Sequence, residues 1–237
     1  MSWTSGETII ASRLEDKNDR DVENGYASVG GHILQLGSYP YPIREEYTNH
    51  LGATDNFVQT AISESGAVSS DITNHVMNLA TGSTGHAQFE TKKYFIVNGK
   101  PLIANFLIKD IINGTGAGDN GRACVIGLNT TFTGDPNYIG AHFIINSGNN
   151  TYTETRADLG DGATSTYVTT PTSGDLLTIS LTSGKCLFYR NGSLIATHTT
   201  NIPTQLLKVG ATVDIWNNQA STTMSLGIDM MSIIKYY

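Results

Sequence analysis

Several residue types that define common classes of protein are scarce in this sequence. Only two of its 237 residues are cysteine, and a disulfide framework would need more. Charged residues make up 15%, the net charge is −7, and no basic stripe is present, so we expect no nucleic-acid partner. No run approaches the roughly 18 apolar residues of a transmembrane helix, and we therefore expect no membrane span.

Residue patterns that hold metals or cofactors are also missing. The six histidines occur singly, without the short spacings of metal-ligand pairs. Gly116-x-Gly118-x-x-Gly121 has the spacing of a dinucleotide-binding loop, but it leads into a strand-like run and not into a helix. We therefore predict no cofactor and no metal. The alternative is Ca²⁺ binding by Asp135, Asp158 and Asp161.

Catalytic patterns are equally sparse. Glycoside hydrolysis needs two carboxylates about 5–10 Å apart, and no acidic run of the kind found on one strand in glucanases is present. The closest acidic pairs are Glu45 with Glu46, Asp158 with Asp161, and Asp214 with Asp229 on separate predicted strands. No G-x-S-x-G element is present either. The sequence therefore predicts a protein that is not an enzyme.

Short alternating runs separated by Gly, Asn and Asp turns fill the chain from Asp55 onward. A spacing of about 8–14 residues between such turns is typical of an antiparallel β-sandwich. The longest apolar run, Leu102–Ile112, predicts a central strand that is buried on both faces over part of its length. Cys124 and Cys186 lie in such runs, where we expect two buried thiols, with a disulfide between the sheets as the alternative.

The strongest local pattern is a hairpin. Asn191-Gly192 supplies the two positive-φ positions of a type I′ turn, between the apolar runs Leu187–Tyr189 and Leu194–Ile195. The stretch Phe188–His198 resembles a late hairpin of concanavalin A-like lectin/glucanase (laminin G-like) jelly rolls, and the resemblance extends over about residues 55–237. It implies two packed antiparallel sheets. Lectins, adhesion modules, glycoside hydrolases and virion proteins share that fold, so it does not decide the function.

The first 48 residues differ from the remainder. Residues 7–24 contain no Gly or Pro and are dense in charge, which predicts a short helix that ends near Gly25. Gly30-Gly31 and Tyr39-Pro40-Tyr41-Pro42 interrupt regular structure, so residues 25–54 read as an extended arm with a short strand at His32–Leu36. We accordingly predict an attachment segment at 1–48 and a jelly-roll sandwich at 49–237.

The extreme N-terminus carries a second resemblance. Trp3-Thr4-Ser5-Gly6-Glu7 and the following residues to Glu15 resemble the opening of phage tail-fibre, baseplate and other virion appendage proteins. Ile10 and Glu15 depart from that pattern, in which Thr and Asn are usual. The resemblance implies a virion structural protein, made in the host cytoplasm, whose N-terminal segment binds other virion proteins or forms a homotrimer. The absence of a recognisable signal peptide agrees with this expectation.

A surface glycan is the predicted ligand of such an appendage. Trp216, Asn217 and Asn218 place an indole beside amides, and Tyr138 follows Asn137. These four are the candidate ligand-binding residues, although a core or edge position for Trp216 is the alternative. Two other functions stay open, a non-viral carbohydrate-binding lectin or adhesion module and a polysaccharide-degrading glycoside hydrolase.

Overall fold

The computed structural model describes residues 26–29, 32–35, 44–50, 58–71, 76–91, 94–112, 122–130, 139–146, 150–157, 162–203, 207–217 and 224–236. These residues form sixteen strands and no helix. In chain order the strands are β1 (Tyr26–Val29), β2 (His32–Gln35), β3 (Arg44–His50), β4 (Val58–Asp71), β5 (Val76–Thr91), β6 (Phe95–Ile96), β7 (Leu102–Ile112), β8 (Arg122–Asn129), β9 (Gly140–Asn146), β10 (Thr151–Arg156), β11 (Thr164–Val168), β12 (Leu176–Leu181), β13 (Cys186–Arg190), β14 (Ser193–His198), β15 (Lys208–Asn217) and β16 (Met224–Tyr236).

The strands form two antiparallel sheets of seven strands, which confirms the predicted sandwich. Sheet I has the order β11-β10-β9-β8-β15-β5-β4, and sheet II has the order β4-β5-β16-β7-β12-β13-β14. β3 adds to sheet II beside β16, and the two-residue β6 pairs with β15. β1 and β2 form a separate hairpin.

The strand β5 belongs to both sheets. Its first part pairs with β16, from Met77 opposite Ile228 to Thr81 opposite Met224, and its second part pairs with β15 from Gly85 to Glu90. β4 follows it, with a register shift near Gly66. Strands that switch sheets through bends or bulges make the corners of such sandwiches. The sequence predicts two separate strands here, because the polar, glycine-containing stretch 81–85 interrupts the apolar pattern.

The core lies between the sheets and follows from strict alternation along the strands. Phe143 of β9 and Phe188 of β13 meet edge to face across it, with ring centroids 5.4 Å apart. Cys124 and Cys186 are free and fully buried there, as expected for two thiols. Burial, with a smaller contribution from the Asp214 charge, raises the pKa of Cys124 to about 12. Such a thiol is unreactive at neutral pH.

The predicted hairpin is confirmed in detail. β13 and β14 are joined by Asn191 (φ 51°) and Gly192 (φ 79°), as a type I′ turn requires. Asp175 anchors the turn, because it accepts hydrogen bonds from Asn191 Nδ2 (2.6 Å) and pairs with Arg190 Nη2 (2.5 Å). Burial opposes ionisation, but the hydrogen bonds from Arg190, Thr172 and Asn191 lower the pKa of Asp175 to about 2.

Two other strand predictions meet different outcomes. β7 has the predicted bounds and lies centrally between β16 and β12. Its burial alternates, however, so that one face is buried and the other is half-buried through Leu107. Among the described residues, no element therefore covers the outer face of sheet II completely.

The glycine-rich loop that contains Gly116–Gly121 lies outside the described residues. The chain continues after this loop as the strand β8, as predicted.

The N-terminal predictions are only partly covered. The helix predicted at 7–24 and the Tyr39–Pro42 segment lie outside the described residues. Within the predicted arm, β2 confirms the short strand expected at His32–Leu36. The strands β1 and β3 are not predicted, and β3 pairs with β16 along its length. The sequence of β3 is charged and polar, without the apolar alternation from which a strand is predicted. The boundary at residue 48 falls inside β3, and the division of the chain there stays a prediction.

No helix long and apolar enough to cross a membrane occurs in the part of the chain that the structure describes.

Candidate functional site

The outer face of sheet I, which points away from the core, carries an unusual set of polar side chains. Alternation with core residues places them there on five neighbouring strands. Several are almost completely buried although they lie outside the core, including His142 (0% exposed), Asp214 (1%) and Gln88 (2%). The members described here are His86, Gln88 and Glu90 of β5, Thr212, Asp214 and Trp216 of β15, Asn129 of β8, His142 of β9, and Glu154 and Arg156 of β10.

The β5–β15 part of the face is built from one histidine–carboxylate contact and one amide contact. His86 Nε2 lies 2.8 Å from Asp214 Oδ2, and Gln88 Nε2 donates to Glu90 Oε2 at 3.1 Å. Gln88 Oε1 has no hydrogen-bond partner among the described residues. A buried carbonyl oxygen without a partner costs about 1–3 kcal/mol. Gln88 Oε1 is therefore a buried acceptor on this face that receives no donor from the described residues.

A hydrogen-bond relay crosses the other strands of the face. Asn129 Nδ2 donates to Thr212 Oγ1 (2.6 Å), and Asn129 Oδ1 lies 2.9 Å from His142 Nδ1. His142 Nε2 lies 3.3 Å from Glu154 Oε1. The relay ends at Arg156, whose Nη2 is 3.4 Å from the same carboxylate oxygen. Charged groups that are buried together in this way need partners, and the relay supplies them.

His142 is the centre of this relay, and both of its ring nitrogens face acceptors. Asn129 offers a carbonyl oxygen to one and Glu154 a carboxylate oxygen to the other. Gly127 lies opposite His142 on β8. A Cβ at Gly127 would come within 2.5 Å of the His142 Cβ and 2.4 Å of the Ala141 oxygen. The glycine therefore provides the space that the histidine occupies.

The electrostatics of Glu154 follow from these contacts. Burial raises its pKa, but the hydrogen bond and charge of His142, together with Arg156 and Ser165, outweigh burial and lower the pKa of Glu154 below its usual value. Glu154 is therefore a carboxylate at neutral pH. The face thus holds ionised groups of both signs in fixed positions, and fixed charges of this kind are typical of binding and catalytic sites.

The predicted ligand residues are only partly brought to this face. Trp216 lies on it, half-buried and opposite His86. Asn217 does not: it is 1% exposed, and its Nδ2 donates to the Gly82 carbonyl at 2.5 Å, so it supports the corner of β5. Asn218 and Tyr138 lie outside the described residues. Of the predicted cluster, the indole lies on this face and the Asn217 amide does not, while the roles of Asn218 and Tyr138 stay predictions.

Sequence reasoning missed most of the site. The sequence suggests Asp229 as the carboxylate partner of Asp214, whereas the structure places Asp214 against His86 and opposite Gln88. The sequence feature that indicates this polar face is the alternation His86-x-Gln88-x-Glu90, which puts three polar side chains on one face of a strand. No group of three metal-ligating side chains occurs among the described residues, and Asp135, Asp158 and Asp161 lie outside them. The absence of a metal stays a prediction.

Comparison with known proteins supports the fold. No protein-family model and no curated protein matches the chain significantly, but many solved structures do. The Emp47p carbohydrate recognition domain has a TM-score of 0.57 at 12% identity, covering 79% of this chain and 94% of that one. The fold is the concanavalin A-like jelly roll. A Bacillus licheniformis β-glucanase (TM-score 0.58, 13% identity, 79% and 97% covered) and a Crh5 transglycosylase in complex with N-acetylglucosamine (0.55, 14%, 79% and 83%) also share it.

Such likenesses extend to the architecture alone, because identities of this size leave the side chains of the sites free to differ. They agree with the fold implied by the Phe188–His198 hairpin. The similarity between residues 3–15 and virion appendage proteins has no counterpart among these structures, and it stays a prediction.

Proposed function

We propose that this protein binds carbohydrate on the outer face of sheet I. The observation that carries the proposal is Gln88: its amide is 2% exposed, and its Oε1 accepts no hydrogen bond from the described residues. A saccharide hydroxyl is a donor of the kind that this oxygen lacks. A ligand that reaches this oxygen and supplies a donor would remove the cost of leaving it unpaired.

The surroundings of Gln88 fit a sugar better than a purely ionic ligand. The face places the Glu154 carboxylate beside the Arg156 guanidinium and the Asp214 carboxylate beside the His86 imidazole, so its polar groups are not of a single kind. Half-buried Trp216 and Tyr152 add aromatic surface. Saccharides present hydroxyl groups and apolar C–H faces together, and sites that combine apolar contacts with a few placed polar groups suit them. The named neighbours, a carbohydrate recognition domain and a β-glucanase, make this the ligand class to test first.

The test is a glycan array followed by calorimetry with β-glucan and N-acetylglucosamine oligosaccharides. Gln88→Leu should weaken binding at least about tenfold, while stability falls little because an unpaired buried acceptor is removed as well. Asn105→Ala is the matched control. That change removes an amide from the outer face of sheet II, where Asn105 bonds Ser232 and Thr178. Equal binding by both variants, or no bound sugar at all, would refute the proposal.

Hydrolysis is the alternative that the carboxylates of the face raise. Glu90 lies opposite Thr212 and Asp214 opposite Gln88, so the two carboxylates are diagonal neighbours on adjacent strands. Diagonal positions are about 7–8 Å apart, which lies within the range of carboxylate separations in glycosidases. That the protein is not an enzyme stays a prediction. Release of reducing sugar from β-glucan, lost in Asp214→Asn, would show it to be wrong.

We further propose, as the setting of this activity, a virion appendage to which residues 1–48 attach the sandwich. The support is the resemblance of residues 3–15, which lie outside the described residues. Light scattering on the full chain and on a chain lacking residues 1–24 tests it. We expect a trimer for the first and a monomer for the second, with the sandwich intact because β1 to β3 are retained. Two monomers would refute self-assembly through this segment.

A further inference from the structure

The strand β11 forms an open edge of sheet I. It pairs with β10 on one side, from Thr164 opposite Thr155 to Val168 opposite Thr151, and no described strand pairs with its other side. None of its five residues is buried, and Tyr167 is 82% exposed. An edge strand turns the backbone N–H and C=O groups of every second residue outward, so β11 offers these groups to another strand.

β11 lacks the features that protect edge strands from pairing. Charged side chains, prolines and bulges are the usual protection. The sequence of β11, Thr164–Val168, contains no charge and no proline, and its register with β10 is regular. β14, the outermost strand of sheet II, differs, because a bulge at Ile195 shifts its register with β13. The comparison indicates that β11, and not β14, is the edge open to pairing.

A cavity lies where a side chain of an added strand would point. Thr164 and Thr166 face sheet II, because their hydroxyl oxygens lie 2.6 Å from Thr200 Oγ1 and 3.0 Å from His198 Nε2. Val168 shares their side of the strand by alternation, and a cavity of about 530 Å³ lies beside it. This edge cavity is lined by Tyr167, Val168, Thr169, Arg190 and Ile195. A strand that pairs with β11 turns every second side chain toward sheet II, so one of them reaches the edge cavity.

The lining of the edge cavity decides which side chain fits it. Arg190 Nη2 pairs with Asp175 Oδ2 at 2.5 Å, and Nη1 donates to the carbonyl oxygens of Thr169 (3.3 Å) and Thr170 (3.2 Å). The charge of the guanidinium is thus balanced within the protein, and the other lining residues are uncharged. Guanidinium groups also stack on aromatic rings. The edge cavity therefore suits a large, uncharged side chain, above all an aromatic one.

A second copy of this chain fits the edge less well than a different peptide does. Pairing of two β11 strands would turn only Thr164, Thr166 or Val168 of the second copy toward the cavity, and these side chains are small for a volume of about 530 Å³. An aromatic side chain buries about 150–250 Å² and fills more of it.

We propose that β11 binds an extended, uncharged peptide segment of a partner protein as an additional strand of sheet I, with one aromatic side chain of that segment in the edge cavity. In strand addition, main-chain hydrogen bonds provide the affinity and pockets for alternate side chains provide the specificity. The proposal does not depend on carbohydrate binding at Gln88. Five strand spacings separate β11 from β5 in sheet I, which is about 24 Å.

Selection from a library of random nine-residue peptides on the full chain, followed by calorimetry with the selected sequences as capped peptides, tests the proposal. We expect the selected peptides to share one aromatic residue between β-branched residues. Its replacement by alanine should weaken binding at least about tenfold. N-methylation of every second peptide residue should weaken binding in one of the two registers only, because the N–H groups of the other set face away from β11.

Changes in the protein locate the binding site. Thr169→Trp fills the edge cavity from an exposed position, and Val168→Lys puts a charge in its wall. Each should weaken binding of the selected peptides at least about tenfold. Thr197→Trp and Thr197→Lys are the matched controls, since Thr197 is exposed on β14 and does not line the cavity. Both controls should bind as the unchanged protein does, and thermal unfolding checks that all four variants are folded.

Each contrary outcome overturns strand addition at β11 and leaves the carbohydrate proposal in place. These outcomes are a library that yields no binding peptide, selected peptides without a shared aromatic residue, and equal effects of N-methylation in the two registers. Equal affinities of the Thr169→Trp and Thr197→Trp variants would place the peptide elsewhere. A dimer of the unchanged chain in light scattering that Val168→Lys dissociates would show that a second copy occupies the edge.

Discussion

The outer faces of the two sheets use polar residues in different ways. On sheet II, Asn105 donates to Ser232 Oγ at 2.9 Å and accepts from Thr178 at 2.7 Å, which makes a neutral row across three strands. On sheet I, the Glu154 carboxylate is buried between His142 and Arg156, at 3.3 and 3.4 Å. Both sheets have the same antiparallel pairing of strands, so the pairing does not account for a buried carboxylate on sheet I alone. This difference adds support for placing the function on sheet I.

The largest effect should come from removing the space for His142. Gly127→Ala forces a Cβ against the β9 backbone at 2.4 Å, and we expect the free energy of unfolding to fall by about 3 kcal/mol in urea denaturation. Gly184→Ala is the control, since nothing lies within 4 Å of its added Cβ, and it should change stability by less than about 0.5 kcal/mol. Equal losses of stability in Gly127→Ala and Gly184→Ala would mean that the outer face of sheet I rearranges to accommodate the added methyl group.

Removing one polar side chain from the network on each sheet should show that the network on sheet I contributes more to the free energy of unfolding. Glu154→Gln leaves His142 and Arg156 without their shared carboxylate, and we expect a loss of about 2 kcal/mol. Asn105→Ala breaks two neutral hydrogen bonds and should cost about 1 kcal/mol. Urea unfolding of both variants at neutral pH makes the comparison. A larger loss for Asn105→Ala would contradict the assignment of the stronger network to sheet I.

Acid should weaken sheet I through Glu154. Its pKa is lowered in the folded protein, since burial is outweighed by His142, Arg156 and Ser165. The unfolded chain therefore takes up the proton first. The stabilisation is complete above the ordinary carboxyl pKa near 4.5 and is lost as the pH falls through the folded value. Thermal unfolding from pH 7 to pH 3 should show a smaller loss for Glu154→Gln than for the unchanged protein. Parallel curves would refute this origin.

The smallest change in stability should appear at alkaline pH and should come from Lys235 in sheet II. Lys235 of β16 is 2% exposed and its Nζ donates to Asn98 Oδ1 at 2.7 Å. Burial lowers the pKa of Lys235, so the unfolded chain binds the proton more tightly. Stability should therefore rise slightly as the pH increases from the folded pKa to about 10.5. Lys235→Met should abolish this rise in unfolding measurements between pH 8 and pH 10.5. A rise retained in the variant would point to another group.

Local features of the fold are readable from the sequence, whereas the site is not. The hairpin at Asn191-Gly192 and the strand Leu102–Ile112 depend on neighbouring residues, and both are predicted correctly. His86 and Asp214 meet only because β5 pairs with β15 in one register, across 128 residues of sequence. Local propensity carries no information about such pairing, since a shift of one residue would move every side chain to the other face.

The same reasoning explains the outcome for Trp216. The adjacent residues suggest amides beside the indole, but the strand continues through Asn217, whose side chain bonds the Gly82 carbonyl. Strand alternation then separates the indole from the adjacent amide. Within β15 the useful partners of Trp216 are Asp214 and Thr212, which share its face two and four residues earlier.

The passage of β5 through both sheets also bears on how the protein acquires its structure. Each half of this strand pairs with a strand from the last 30 or so residues of the chain, one half with β15 and the other with β16. Contacts this distant in sequence slow the search for the native state. Neither sheet can be completed alone, so the sandwich should form late and in a single step. Amides of β5 should then exchange with solvent only through global opening.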